Sequence, residues 1–341
     1  MRRREFSKAL LTCSLAPCAG LAQNFESSVL SVDDLPELVG DISLYLGRGE
    51  GGLYENVLRA ISDRNPKLTL NIRRGPTAAL ANAIVAERGA GIRRADVFWA
   101  VDAGAIGLVV DQGIAEPLPS ELVKQLRPNY RYRDWLPVSG RIRTLPFNTN
   151  AVGIEQIPQS IMSVPEQGLK LGWAPEYASF QSFITAMRFL EGNEATSEWL
   201  LKVNSLAKRY AGELGVVMGV ERGEVDVGFA NHYYTLRLKA GKPNARLGLA
   251  FTRGDSGCLV NASGVLALTS DKTVFDFIRY LFTREVQSYL SSEAFEIPLI
   301  DGVALPPGVP PLDSISPPAI DLTQLSDLRP TLDLMRELRV L

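Results

Sequence analysis

Residues 41–46 (Asp41-Ile42-Ser43-Leu44-Tyr45-Leu46) alternate polar and apolar positions, the period of a half-buried strand. A glycine-rich turn follows and opens a helix that runs to about Asn65-Pro66, a stop signal. Leu68 to Arg73 reads as a second strand. Pro76 suits the start of an Ala-rich helix ending near Gly89. Ala95-Asp96-Val97-Phe98-Trp99 is a third strand, after which Asp102 caps a helix over 103–112 and Gly113 stops it. Strand–helix units at this spacing predict a mainly parallel sheet with helices on both faces. Such sheets bind ligands beyond the carboxyl ends of their strands, where Gly47-Arg48-Gly49 and Ala100-Val101-Asp102 would lie.

The second half has a different pattern. Trp135 to Arg143 leads into Thr144-Leu145-Pro146-Phe147-Asn148, which would carry the chain from one lobe into another. An amphipathic helix is predicted over 196–210, a strand over 225–229 and a helix over 233–240. Strands at 247–252 and 258–268 would return the chain to the first lobe. A helix follows over 271–291. The Pro-rich stretch 305–311 reads as a stiff connector, and a last helix ends near Leu338. The pattern gives an α/β chain of two lobes, each a mixed sheet flanked by helices, joined by crossing strands. The expected limits are 23–142 with 261–305 for the first lobe, and 143–260 with 306–341 for the second.

The N-terminus changes the picture of where the chain works. Arg2-Arg3-Arg4, a short apolar run from Ala9 to Leu15 and small residues up to Ala22 make an export signal over 1–22. Its Arg3-Arg4-Glu5-Phe6-Ser7-Lys8 segment resembles a twin-arginine signal and implies a periplasmic destination. Pro17 stands where a lipid-anchoring signal at Cys18 wants a small residue, so no anchor is expected there. Of three cysteines, Cys13 and Cys18 lie in the signal, which leaves Cys258 without an internal disulfide partner. The whole chain carries −2 and its first 22 residues +3, so the remainder is mildly acidic. That balance disfavours nucleic acid as a partner.

The chemistry concentrates at Tyr233-Tyr234, which follow the 225–229 strand and the single histidine, His232. A phenol releases its proton near pH 10, and a strongly charged bound cation lowers that value. Two adjacent phenols therefore suit a hard, highly charged ion such as Fe3+. Packing of two aromatics at a helix start is the plain alternative. Enzyme chemistry has little support: one histidine, no Gly-x-Ser-x-Gly elbow, no His-Glu-x-x-His motif and no Gly-x-x-x-x-Gly-Lys-[Ser/Thr] loop.

Several segments together resemble the ferric-iron-binding periplasmic proteins, the solute-binding components of iron ABC importers. They are Ile42 to Gly47, Ala95 to Ala105, Ser139-Gly140-Arg141-Ile142-Arg143, Gly223 to Tyr234, and Gly257 to Gly264. The resemblance runs in order through nearly all of the chain after the signal. It implies a two-lobe fold of the type II-like periplasmic binding class that closes on its ligand about a hinge. It also implies Tyr233 and Tyr234 as iron ligands, with Tyr177 as a third. The pattern departs from many members in the first lobe, where Gly49 stands for a histidine and Val101 for a glutamate.

Glu50 or Asp102 would then be the candidates for an extra ligand, against a solvated role for Glu50 and a helix cap at Asp102. A synergistic anion such as carbonate would complete the coordination. It would be held by helix-start N–H groups and by Arg141, or Arg48 in the glycine-rich turn. His232 reads as a supporting partner of the site. The expected partners are a permease and an ATPase subunit, with the chain itself a monomer. The competing expectation keeps the fold and replaces iron with an oxyanion, a small organic anion or a polyamine.

Overall fold

A computed structural model describes residues 29–47 and 52–341. The export signal, Arg48 and Glu50 lie outside these residues. Among them no helix is long and apolar enough to cross a membrane.

The first part of the chain alternates strand and helix. Strand β1 (Gly40–Gly47) leads to helix α1 (Leu53–Arg64). Strand β2 (Leu68–Gly75) leads to α2 (Thr77–Gly89), and β3 (Val97–Ala100) to α3 (Ala103–Val110). β1 pairs in parallel with β2 and β3. Strand β4 (Leu136–Asn148) then enters the second part, made of β5 (Leu171–Trp173), α4 (Ala178–Glu191), α5 (Asn193–Leu206), β6 (Lys208–Arg209) and α6 (Glu213–Arg222). Next come β7 (Val227–Gly228), β8 (Ala230–Asn231), α7 (His232–Gly241) and β9 (Leu247–Ala250). Strand β10 (Val260–Ala267) returns to the first sheet, and α8 (Lys272–Leu281), α9 (Arg284–Ser292) and α10 (Arg329–Glu337) follow.

β4 is the member shared by both halves. Its first residues pair with β10 over 136–142, which itself pairs with β3. Arg143 and Thr144 pair with β8, and Leu145 to Asn148 pair with β9. One unbroken strand thus belongs to two sheets, and the 247–267 segment crosses back beside it.

Two apolar cores flank this crossing. In the first, Tyr54 stacks on Trp99 with ring centroids 4.4 Å apart. In the second, Trp173, Phe180, Phe183, Trp199 and Phe229 meet edge to face, an arrangement aromatic quadrupoles favour. The C-terminal segment 306–341 is divided between them. Leu312, Ile315, Leu322 and Leu325 join the first core, whereas Met335 and Val340 join the second.

Two helices escape the sequence pattern for physical reasons. α6 contains Gly215 and Gly219 and the β-branched pair Val216-Val217, a poor helix composition. Gly219 is needed because Tyr210 lies under the helix; a Cβ there would sit 2.2 Å from its hydroxyl oxygen, whereas one on Gly215 would make ordinary contact. α4 lacks a Ser, Thr, Asp or Asn at its start, where Tyr177 occupies the N-cap position. The long helix predicted over 271–291 is two, divided at Phe282-Thr283, where Thr283 Oγ1 donates to the Tyr280 carbonyl at 2.8 Å.

Helix α3 lies so close to the 322–326 turn that a Cβ on Gly107 would meet the Thr323 carbonyl oxygen at 2.5 Å. Gly89, at the end of α2, has open space around it. Gly107→Ala is therefore expected to destabilise by about 1–3 kcal/mol, and Gly89→Ala to change stability by no more than about 0.5 kcal/mol. Urea unfolding of the two variants measures the difference, and equal effects would contradict this packing.

Candidate metal centre

The tyrosine pair follows two short strands, β7 and β8. Val225, Val227 and Phe229 are buried, and Gly228 lets α6 lie directly on the strand, since a Cβ there would come within 2.4 Å of Val216 Cγ1. The chain then turns at Asn231, the extended N-cap of α7. Tyr233 and Tyr234 thus sit in the first turn of that helix, both buried. Their rings pack against each other at 4.4 Å with a 42° tilt.

Tyr177 arrives from a different helix start. It is the N-cap of α4, and its hydroxyl lies 2.7 Å from the hydroxyl of Tyr234. Two phenol oxygens from separate elements therefore converge, with the third phenol packed beside them. Asn231 at the start of α7 adds a buried amide, whose Nδ2 has no hydrogen-bond partner among the described residues.

His232 is buried and fully engaged. Its Nε2 donates to the Phe295 carbonyl at 2.6 Å, and its Nδ1 accepts from the Ile142 backbone N–H at 3.2 Å. This pattern fixes the neutral tautomer with the proton on Nε2. Burial pushes its pKa down to about 3, against the two backbone hydrogen bonds. With both nitrogens occupied, the ring meets Tyr233 edge-on at 5.7 Å as a support. The guanidinium of Arg237 lies 4.6 Å from the Tyr233 ring centre on the same helix.

Arg141 comes from the crossing strand β4. Burial works against its charge, but Tyr54, Glu296, Tyr233 and Asp102 together hold its pKa above the ordinary guanidinium value. It thus stands electrostatically between Tyr233 of the second part and Asp102 of the first. Its Nε is buried and has no hydrogen-bond partner among the described residues. Asp102 caps α3, accepting from the Ala105 N–H at 2.9 Å. Burial raises its pKa while that N–H and Arg141 lower it. Among the described residues no three His, Cys, Asp or Glu side chains gather as a metal-ligand set.

Several supporting residues carry no motif. Glu296 is buried beside the crossing, where Tyr54 donates to both of its carboxylate oxygens at 3.0 Å and Ser139 donates as well. Ser139 also shares a 2.7 Å hydrogen bond with Ser263 across the β4–β10 ladder. Burial, then the Glu296 charge, pushes the Tyr54 phenol pKa up, so this tyrosine stays a protonated donor. Glu213 and Arg143 form a buried pair beneath the tyrosine helices. Arg143 was visible only as the neighbour of Arg141. The single sequence signal for the Asn231 amide was its place just before the His232-Tyr233-Tyr234 run.

No protein-family model matches the chain. Over 298 residues it is 28% identical to the Fe(3+)-binding periplasmic protein of Serratia marcescens, covering 83% of this chain and 87% of that one. Over 307 residues it is 27% identical to the major ferric iron-binding protein of Neisseria meningitidis, covering 85% and 90%. Both of these relatives are named for ferric iron binding. The structure matches iron-bound HitA from Pseudomonas aeruginosa with a TM-score of 0.77 and 24% identity, over 87% of this chain and 99% of that one. The fold is accordingly the two-lobe periplasmic binding protein fold, with β4 and the 247–267 segment as the crossing strands of its hinge.

The His232 geometry has a consequence for acid stability. Its pKa falls from 6.5 in the unfolded chain to about 3 in the fold, so the unfolded chain binds the extra proton first. Its contribution is fully present above about pH 6.5 and is lost progressively as pH falls toward 3. His232→Gln should flatten the fall in chemical-denaturation stability between pH 6.5 and 4. An unchanged pH slope in that variant would show that the ring titrates normally in the fold.

Proposed function

We propose that this chain is the extracytoplasmic substrate-binding protein of an ABC importer for ferric iron, holding Fe3+ through the phenolates of Tyr177, Tyr233 and Tyr234. The observation that carries the reading is the 2.7 Å meeting of the Tyr177 and Tyr234 hydroxyls, with Tyr233 stacked alongside. Ferric ion is a hard cation that prefers charged oxygen donors, and three phenolates neutralise its charge. The kinship with proteins named for ferric binding supports the same cargo.

The remaining coordination falls to a synergistic anion such as carbonate. Support for it comes from polar atoms with nothing to bond. The Asn231 amide nitrogen and Arg141 Nε are buried donors without partners among the described residues. The N-terminus of α7 adds backbone N–H groups and the positive end of a helix dipole. A planar guanidinium suits a trigonal oxyanion. Arg48 and Glu50 stay candidates from the first lobe, the former for the anion and the latter for iron. Asp102 is the weaker extra ligand, because one of its oxygens is already committed to capping α3.

The lobes, divided at 142/143 and 260/261, would close over the cargo by flexing the crossing strands. The closed form would engage a membrane permease coupled to a separate ATPase, and the chain would act as a periplasmic monomer that performs no chemistry of its own. Each ligand must be deprotonated to bind, so affinity should fall as the medium becomes acidic. Reduction to Fe2+ removes charge and would also favour release.

The test is a visible absorption titration of the protein, freed of its export signal, with Fe3+ in the presence and absence of bicarbonate. Wild type is expected to take up one equivalent and develop a tyrosinate-to-iron colour. Tyr233→Phe and Tyr234→Phe should each lose the colour and weaken binding by more than the roughly 10–100-fold that loss of a ligand's supporting partner costs. Colourless wild-type protein without stoichiometric iron would overturn the reading.

A further inference from the structure

Tyr177 and Tyr234 belong to different helices, so their 2.7 Å contact depends on whatever holds the tips of α4 and α7 at a fixed spacing. Those tips meet one buried ion pair. Arg143 Nη1 donates to Glu213 Oε1 at 2.6 Å, with side-chain exposures of 3% and 0%. The second nitrogen of the fork, Nη2, donates to the Ser179 carbonyl at 2.7 Å and lies 3.3 Å from its hydroxyl oxygen. Ser179 is the second residue of α4, two beyond Tyr177, and its hydroxyl donates to Glu213. The other Glu213 oxygen accepts the Asn231 N–H at 2.8 Å, at the cap of the helix that carries Tyr233 and Tyr234.

Glu213 is itself the first residue of α6, so one carboxylate draws three helix starts together. The arrangement is electrostatically consistent, because helix starts are positive and a buried anion there is stabilised by their dipoles and N–H groups. Arg143 supplies the balancing charge and belongs to the crossing strand, which places this junction on the hinge. We infer that Arg143 and Glu213 are positioning residues for the tyrosine site. The pair sets the distance between the Tyr177 and Tyr234 phenols and so the shape of the metal chelate. This rests on the tyrosine site proposed above, although the spacing it sets exists without metal.

The deciding variant is the double substitution Arg143→Met with Glu213→Met, because replacing both charges leaves neither stranded in the interior. Two readouts are taken on protein whose thermal melting shows it folded. The first is the nuclear Overhauser contact between the Tyr177 and Tyr234 rings in metal-free, tyrosine-labelled protein. The second is Fe3+ affinity by chelator competition. The contact should be lost, and affinity should fall by about 10–100-fold, the usual cost of removing a partner that orients a metal ligand. A folded double variant that keeps the ring contact would overturn the inference.

If the double variant does not fold, Arg143→Lys combined with Ser179→Ala decides. Lysine keeps a charge beside Glu213 but lacks the second nitrogen of the fork, so both links to α4 are lost with neither charge stranded; the ring contact should weaken, and a wild-type contact in the folded variant would overturn the proposal. Should wild type bind no iron, the proposed cargo fails while the ring contact still tests the positioning role.

Discussion

The hydrogen-bond ladder of β4 is the constraint on which the other features depend. Because residues 136–142 pair with β10 and residues 143–148 with β8 and β9, one backbone sets the relation between the two sheets. Ser139, Arg141 and Arg143, spaced two apart, fall on one face of the strand. Ser139 reaches the buried Glu296, Arg141 joins the charges of both halves, and Arg143 enters the second core beneath the tyrosines. One strand thus carries all three groups between the two halves.

The polar groups near the crossing are sorted by how completely they are satisfied. Tyr54 and His232 have their partners, and burial keeps the first protonated and the second neutral. Asn231 Nδ2 and Arg141 Nε are buried donors with no partner among the described residues. An unmet buried donor costs free energy unless something arrives to accept from it. Tyr54 belongs with the satisfied groups although it lies beside Arg141.

Much of the fold was legible from periodicity. The first three strands and their helices follow alternation, caps and stop signals, and the parallel pairing of β1 with β2 and β3 follows from their order. The pattern failed where packing overrode propensity. α6 is helical despite two glycines and a β-branched pair, and at Gly219 Tyr210 occupies the space a side chain would need. α4 begins at a tyrosine that does not cap with its side chain. Tyr233 and Tyr234 were legible as a pair because they are adjacent, and Tyr177 only through a resemblance. Glu213 and Glu296 could not be found at all, since a buried carboxylate reads in sequence like a surface one. Their roles exist only in the partners that tertiary structure brings, Asn231 and Arg143 for one, Tyr54 and Ser139 for the other.

The most direct measurement is anomalous diffraction at the iron edge from crystals of the Fe3+-loaded protein. The account predicts a single strong peak within bonding distance of the Tyr177, Tyr233 and Tyr234 phenol oxygens, with an anion between it and the Asn231 and Arg141 donors. Iron located elsewhere, or a filled cleft without an iron peak, would contradict it.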